Sequence, residues 1–151
     1  MPTRFLRQRR RLLIGAGLAC ATPLALAQAG WPAIPALAAL LDGRVLQAGR
    51  VTLEIPKLAD NGNSVPLTIT VESPMTERDR VVAIHLFSER NPRPRMASIA
   101  LGPDAGRAQV ATRLRLAGTQ HIVAVAEMAD GALWGAATEV IVTQSACTDD
   151  I

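Results

Sequence analysis

The chain has 151 residues, 49% of them hydrophobic and only 3% aromatic, with 16 Lys and Arg against 13 Asp and Glu. Five of the arginines (Arg4, Arg7, Arg9, Arg10 and Arg11) stand ahead of every acidic residue, so the rest of the chain holds 11 basic against 13 acidic side chains. The basic character therefore belongs to one end. The body offers no electrostatic case for nucleic-acid or membrane-surface binding.

Residues 1–29 read as an export signal. The arginines are followed by an apolar run over residues 12–26, broken by Gly15, Gly17 and Pro23. That run is too short and too interrupted to cross a bilayer as a permanent helix. Arg9-Arg10-Arg11-Leu12-Leu13 resembles the twin-arginine pattern, and Ala25-Leu26-Ala27 or Ala27-Gln28-Ala29 supplies a small-x-small cleavage site. Cys20 has Gly17 rather than a large apolar residue three positions before it, so it reads as a leader residue and not as a lipid attachment point. The expected destination is the periplasm, an oxidising compartment in which a lone thiol is chemically exposed.

The roughly 122 residues that remain suit one domain with one core. Residues 30–50 form an N-terminal helical segment. Its helix is expected at 34–41, with Pro35 near the start, Ile34, Leu37 and Leu41 on one face and Gly43 past the end. From residue 51 the period changes to two. Val51-Thr52-Leu53-Glu54-Ile55 alternates, Asp60-Asn61-Gly62-Asn63 is a turn, and residues 64–72 alternate with Val65, Leu67, Ile69 and Val71 inward. Residues 81–88 are apolar on both faces, as in a central strand. Asn91-Pro92-Arg93-Pro94 interrupts the pairing, because proline has no N–H to give a ladder.

Strands follow at 96–101 and 107–116, the second with Ala108, Val110, Thr112, Leu114 and Leu116 on one face. Residues 121–128 then pair across Asp130-Gly131 with 133–137, and 138–143 closes the domain. Six to eight short strands with regular turn signals predict an all-β, immunoglobulin-like sandwich over residues 51–143. Residues 144–151 are expected to form a flexible tail.

That tail carries Cys147, the one cysteine left once the leader is removed. A thiol beyond the last strand has no intrachain partner and becomes a useful acceptor when exposed and ionised. From Thr143 an extended tail projects it about 13–14 Å, the geometry of a swinging covalent arm. The other reading of the same residues is a cysteine that pairs with a second chain. A thiol enzyme would instead need His85 or His121 as base. One cysteine and two isolated histidines show no metal-ligand spacing, so neither a metal nor a cofactor is expected. Arg90, Arg93 and Arg95 flank two prolines on a stiff loop and form a possible partner-docking or anion-attracting surface. Trp31 and Trp134 are the only tryptophans, and Trp134 reads as a core or interface residue.

The chain also resembles the SoxY family. The resemblance is carried by Ile55-Pro56-Lys57-Leu58-Ala59-Asp60-Asn61-Gly62, Val65-Pro66-Leu67-Thr68-Ile69 and Glu89-Arg90-Asn91-Pro92-Arg93-Pro94. It continues through Leu101-Gly102-Pro103, Val110-Ala111-Thr112-Arg113-Leu114 and Val140-Ile141-Val142-Thr143, which leads to the tail cysteine. It implies a periplasmic sulfur carrier of thiosulfate oxidation that is not itself an enzyme, with Cys147 as the covalent attachment residue. It also implies a SoxZ-like β-sandwich as heterodimer partner, and as attendant enzymes a c-type cytochrome, a sulfate-releasing hydrolase and, where present, a sulfur dehydrogenase. The family tail places its cysteine between glycine pairs, whereas here the surroundings are Ser145-Ala146-Cys147-Thr148-Asp149-Asp150. That departure keeps two further expectations in view: a diverged binding or adapter subunit that carries no thiosulfate sulfur, and a thiol-dependent sulfur transferase.

Overall fold

A computed structural model describes residues 30–146; the expected export signal at 1–29, and Cys147 with the four residues after it, lie outside the described residues. In chain order, helix α1 (Pro35–Leu41) precedes β1 (Leu46–Ala48), β2 (Val51–Glu54), β3 (Leu58–Asn61), β4 (Val65–Val71) and β5 (Val81–Ser88). Then come β6 (Arg95–Ala100), β7 (Ala108–Leu114), β8 (Gln120–Met128) and β9 (Leu133–Gln144).

The period-two stretches become two facing sheets. The smaller has the order β2-β4-β7, and the larger runs β1-β9-β8-β5-β6 with β3 also paired to β9. In β4 the alternation places Val65, Leu67, Ile69 and Val71 in the interior, each 4% exposed or less. They meet Ile84 and Leu86 of β5, Ile122, Ala124 and Ala126 of β8, and Val140 of β9 in one apolar cluster. This layer between two facing sheets is the expected sandwich core.

The larger sheet is covered on its other face as well. Ile34, Leu37 and Leu41 of the α1 segment pack on Leu46, Phe87, Val123, Val125 and Leu133. Burial from both sides explains why β5 and β8 read as nearly continuous apolar runs. A helix of seven residues is too short to persist alone, so this docking holds it. Pro35 begins it, and Asp42 in the left-handed region (φ 45°) ends it with its N–H on the Ala38 carbonyl.

Three features depart from the sequence expectation. β1 joins the sheet from within the segment expected to be helical, pairing parallel with β9 from Leu46↔Leu133 to Ala48↔Gly135. β3 occupies Leu58–Asn61, where only a connection and a turn were expected, and pairs parallel with β9. Finally, β9 is one strand of 12 residues and not two short ones. Its length follows from its neighbours: β8 flanks 133–140, while β1 and β3 share its other edge in succession.

Candidate functional site

The chain leading to Cys147 leaves the sandwich where three segments converge: the turn after β3, the loop between β7 and β8, and the end of β9. The Thr143 hydroxyl donates to the Asp60 carbonyl at 2.7 Å. The Gly62 N–H donates to the Gln144 carbonyl (2.8 Å), the Leu116 N–H to the Gly62 carbonyl (2.8 Å), and the Ala146 N–H to the Leu116 carbonyl (3.0 Å). Ala146 is 3% exposed. The backbone thus stays anchored through Ala146, beyond Thr143.

Gly62 makes this convergence possible. Its φ lies outside the left-handed region, so space and not conformation requires glycine. A Cβ here would strike the Leu116 carbonyl oxygen and stand 2.9 Å from the Ala146 nitrogen and 3.1 Å from Val142 Cγ1. The turn itself is local, with the Asn63 N–H on Asn61 Oδ1 at 2.8 Å.

The proline-stiffened loop after β5 belongs to the same end. Asn91 Nδ2 donates to the Arg115 carbonyl (2.8 Å), while Oδ1 accepts from the Ala117 N–H (3.0 Å) and Gln120 Nε2 (2.9 Å). Gln120 is 2% exposed, and its Oε1 accepts the Arg90 N–H at 2.9 Å. Buried Ser88 accepts the Asn91 N–H at 3.3 Å. No described side-chain polar atom that is fully buried lacks a partner, so this network holds both loops rigidly against the chain exit.

The three loop arginines are not gathered into one fork. Arg90 donates through Nη1 to the Thr119 carbonyl at 3.1 Å, and both its guanidinium and the Ser145 hydroxyl flank Gly118. One guanidinium therefore lies beside the chain exit. Arg93 is exposed on the bend. Arg95 lies over the Phe87 ring, 5.5 Å from its centroid, on the outer face of the larger sheet.

The histidines are placed apart from each other. His85, 8% exposed in mid-strand, meets Ser98 Oγ through Nδ1 (2.9 Å) and Glu127 Oε2 through Nε2 (3.4 Å). Arg44 approaches the other oxygen of Glu127 at 3.4 Å. His121, half-exposed, adjoins Gln120 at the end of β8 nearer the chain exit, with Nδ1 2.9 Å from Glu89 Oε2. The hydrogen bonds from His121 hold the Glu89 carboxyl below the usual carboxylate range. Among the described residues, no group of three or more His, Cys, Asp or Glu is placed to hold a metal ion. Trp134 packs at the margin of the main core beneath Arg50, whose guanidinium lies 5.6 Å from the ring centroid.

What sequence reasoning missed at this site is Gly62, Leu116, Asn91 and Gln120. Glycine in Asn61-Gly62-Asn63 signals a turn, and nothing local signals that the backbone of Leu116 and Ala146 passes close to its Cα.

The fold and this site define a β-sandwich that braces the stem of a cysteine-bearing C-terminus. The chain belongs to the SoxY family: the family model for sulfur oxidation protein SoxY matches residues 37–147, a span ending on the tail cysteine. Among solved structures it is similar to the sulfur carrier protein SoxY from Chlorobium limicola f thiosulfatophilum, at 30% identity and TM-score 0.56, covering 72% of this chain and 93% of that one. Superoxide reductases share the fold alone. The neelaredoxin from Ignicoccus hospitalis matches at 17% identity and TM-score 0.58, covering 66% of this chain and 97% of that one. The enzyme from Nanoarchaeum equitans matches at 17% and 0.52, covering 64% and 100%. No curated protein matches the sequence. No helix among the described residues is long and apolar enough to cross a membrane.

Proposed function

We propose that this protein is a periplasmic covalent sulfur carrier of thiosulfate oxidation, with Cys147 as the attachment residue. The observation that carries the reading is the family match reaching Cys147, together with a brace that holds the stem through Ala146. In the loading step the Cys147 thiol and thiosulfate lose one proton and two electrons as an S–S bond forms, giving a cysteine S-thiosulfonate. A c-type cytochrome accepts the electrons. Water then cleaves the bond to the terminal sulfonate sulfur at a separate hydrolase, releasing sulfate and leaving a persulfide on the carrier. A sulfur dehydrogenase, where present, oxidises that sulfur. The chain itself binds, presents and releases; the chemistry belongs to its partners. A SoxZ-like β-sandwich is the proposed heterodimer partner, delivered like this chain to the periplasm, here by the twin-arginine signal.

The Arg90 guanidinium, which with the Ser145 hydroxyl flanks Gly118, supports anionic cargo because it sets one positive charge beside the stem that leads to Cys147. The deciding experiment is intact-mass measurement after incubation with thiosulfate and the partner enzymes. The wild-type chain gains a sulfur-containing adduct and Cys147→Ser gains none; an unmodified wild type, or undiminished turnover with Cys147→Ser, refutes the reading.

A second reading, a SoxY-like adapter that docks a partner without carrying sulfur, is favoured by the non-glycine, acidic tail. A stable partner complex from a chain that never gains an adduct would establish it.

A further inference from the structure

We propose that the middle of β9 is a docking slot for an extended segment of a partner protein, which adds to the larger sheet as an antiparallel strand. β8 pairs along one edge of β9. The other edge is covered at its two ends, by β1 at 133–135 and by β3 at 141–144. Between them, positions 136–140 face no strand among the described residues, a gap of about 17 Å. The gap exists because the chain leaves this sheet after β1. Gly49, at φ 130°, turns it toward the facing sheet as β2, and a Cβ there would stand 3.2 Å from Trp134 Cζ3. The chain returns through Pro56 to Lys57, whose carbonyl accepts the Ile141 N–H at 2.8 Å.

The backbone of the slot is open. In a strand the N–H and C=O of one residue leave on the same side, and the side alternates from residue to residue. The Ile141 N–H points to β3, and the Val142 N–H points the other way, to Thr119 Oγ1. The β8–β9 register runs without a shift, so Ala137 and Glu139 share the direction of Ile141. Their four backbone groups therefore face the gap, where no described backbone group meets them. An exposed edge of this kind is a template for strand addition. A parallel strand would meet two of the groups through the residue opposite Thr138 and would compete with β1 and Lys57 for the rest. An antiparallel strand meets all four through two residues, opposite Ala137 and Glu139.

The walls give the chemistry of the occupant. Two clefts of about 440 and 350 Å³ meet at Ala137. The first is lined by Trp31, Gly49 and Ala136, and the second by Lys57, Thr138 and Glu139. Lys57, Ala137 and Glu139 are exposed. Neither Lys57 nor Glu139 has an ion-pair partner among the described residues. Directly opposed side chains of an antiparallel pair share a face. The segment therefore carries a small apolar residue opposite Ala137, a basic one opposite Glu139 and, one position before that, an acidic one near Lys57.

The test is a magnetic-resonance titration of the isotope-labelled full chain with two acetylated peptide amides, Asp-Arg-Thr-Val-Thr and the charge-exchanged Arg-Asp-Thr-Val-Thr. Both should shift the Ala137 and Glu139 amide resonances to saturation, the first with about fivefold higher affinity. Ala137→Pro removes a donor and fills the slot while sparing the ladder to β8. It should abolish the shift at Glu139 and leave the urea midpoint unchanged. Glu139→Arg should invert the preference between the peptides, and if Ala137→Pro does not fold, this inversion alone decides. Unshifted amides with both peptides, equal affinity for the two, or undiminished binding by Ala137→Pro overturns the slot.

Discussion

Replacing Asn91 with alanine removes three hydrogen bonds and separates the loops that brace the chain exit. Two of them, to the Arg115 carbonyl and from the Ala117 N–H, lie where water can substitute once the side chain is gone. They contribute about 1 kcal/mol together after that substitution. The third is different: Gln120 Nε2 belongs to a residue 2% exposed, and the substitution leaves that donor in the interior. A buried unsatisfied amide costs about 1–3 kcal/mol, so Asn91→Ala should lose about 3 kcal/mol in all. Urea unfolding followed by circular dichroism measures this as a lower midpoint at unchanged slope. A cycle with Gln120→Ala isolates the shared term, with an expected coupling of at least about 1 kcal/mol. A total loss below about 1 kcal/mol, or additive single substitutions, would show that the network does not hold the loops.

Leu37→Ala should cost about 2–5 kcal/mol, because Leu37 is 2% exposed and packs with Phe87 and Val123 beneath the short helix; urea unfolding reads the loss. Asp79 binds both terminal nitrogens of Arg50, at 3.0 and 2.7 Å, and these hydrogen bonds hold its carboxyl below the usual carboxylate range. A carboxylate depressed in the folded state stabilises above its unfolded pKa, and that contribution is lost as pH falls through the lowered folded value. The midpoint difference between wild type and Asp79→Asn should therefore hold steady from neutral pH down to the ordinary carboxylate range and vanish below it. A difference that persists in stronger acid refutes the assignment. Asp149→Gly with Asp150→Gly should speed iodoacetamide alkylation of Cys147 near neutral pH by lowering the thiol pKa; an unchanged rate shows that those carboxylates do not tune the sulfur.

The sandwich was legible because its determinants are local and periodic. Alternation in residues 64–72 placed Val65, Leu67, Ile69 and Val71 inward, and the structure buries all four. The shared face of Ile34, Leu37 and Leu41 named the helix contacts in the same way. Residues 81–88 read as a central strand because both faces are apolar, although only the tertiary structure shows that one face is covered by the other sheet and the second by α1. The two missed strands, β1 and β3, are short and carry weak signals: Leu58-Ala59-Asp60-Asn61 ends in residues poor in strand propensity. Their partner is β9, near the other end of the chain, so no window of neighbouring residues contains the information.

The same reason divides the site. The sequence alone determined that a cysteine follows the last strand and that an arginine- and proline-rich loop precedes β6. Only the tertiary structure decided that this loop is tied to the chain exit through Asn91 and Gln120, and that its three arginines point to separate tasks. It also decided that the stem stays bound through Ala146. Thr143 and Asp60 meet across 83 positions of sequence. Folding must close that distance before their hydrogen bond, or the glycine-lined contact beside it, exists at all.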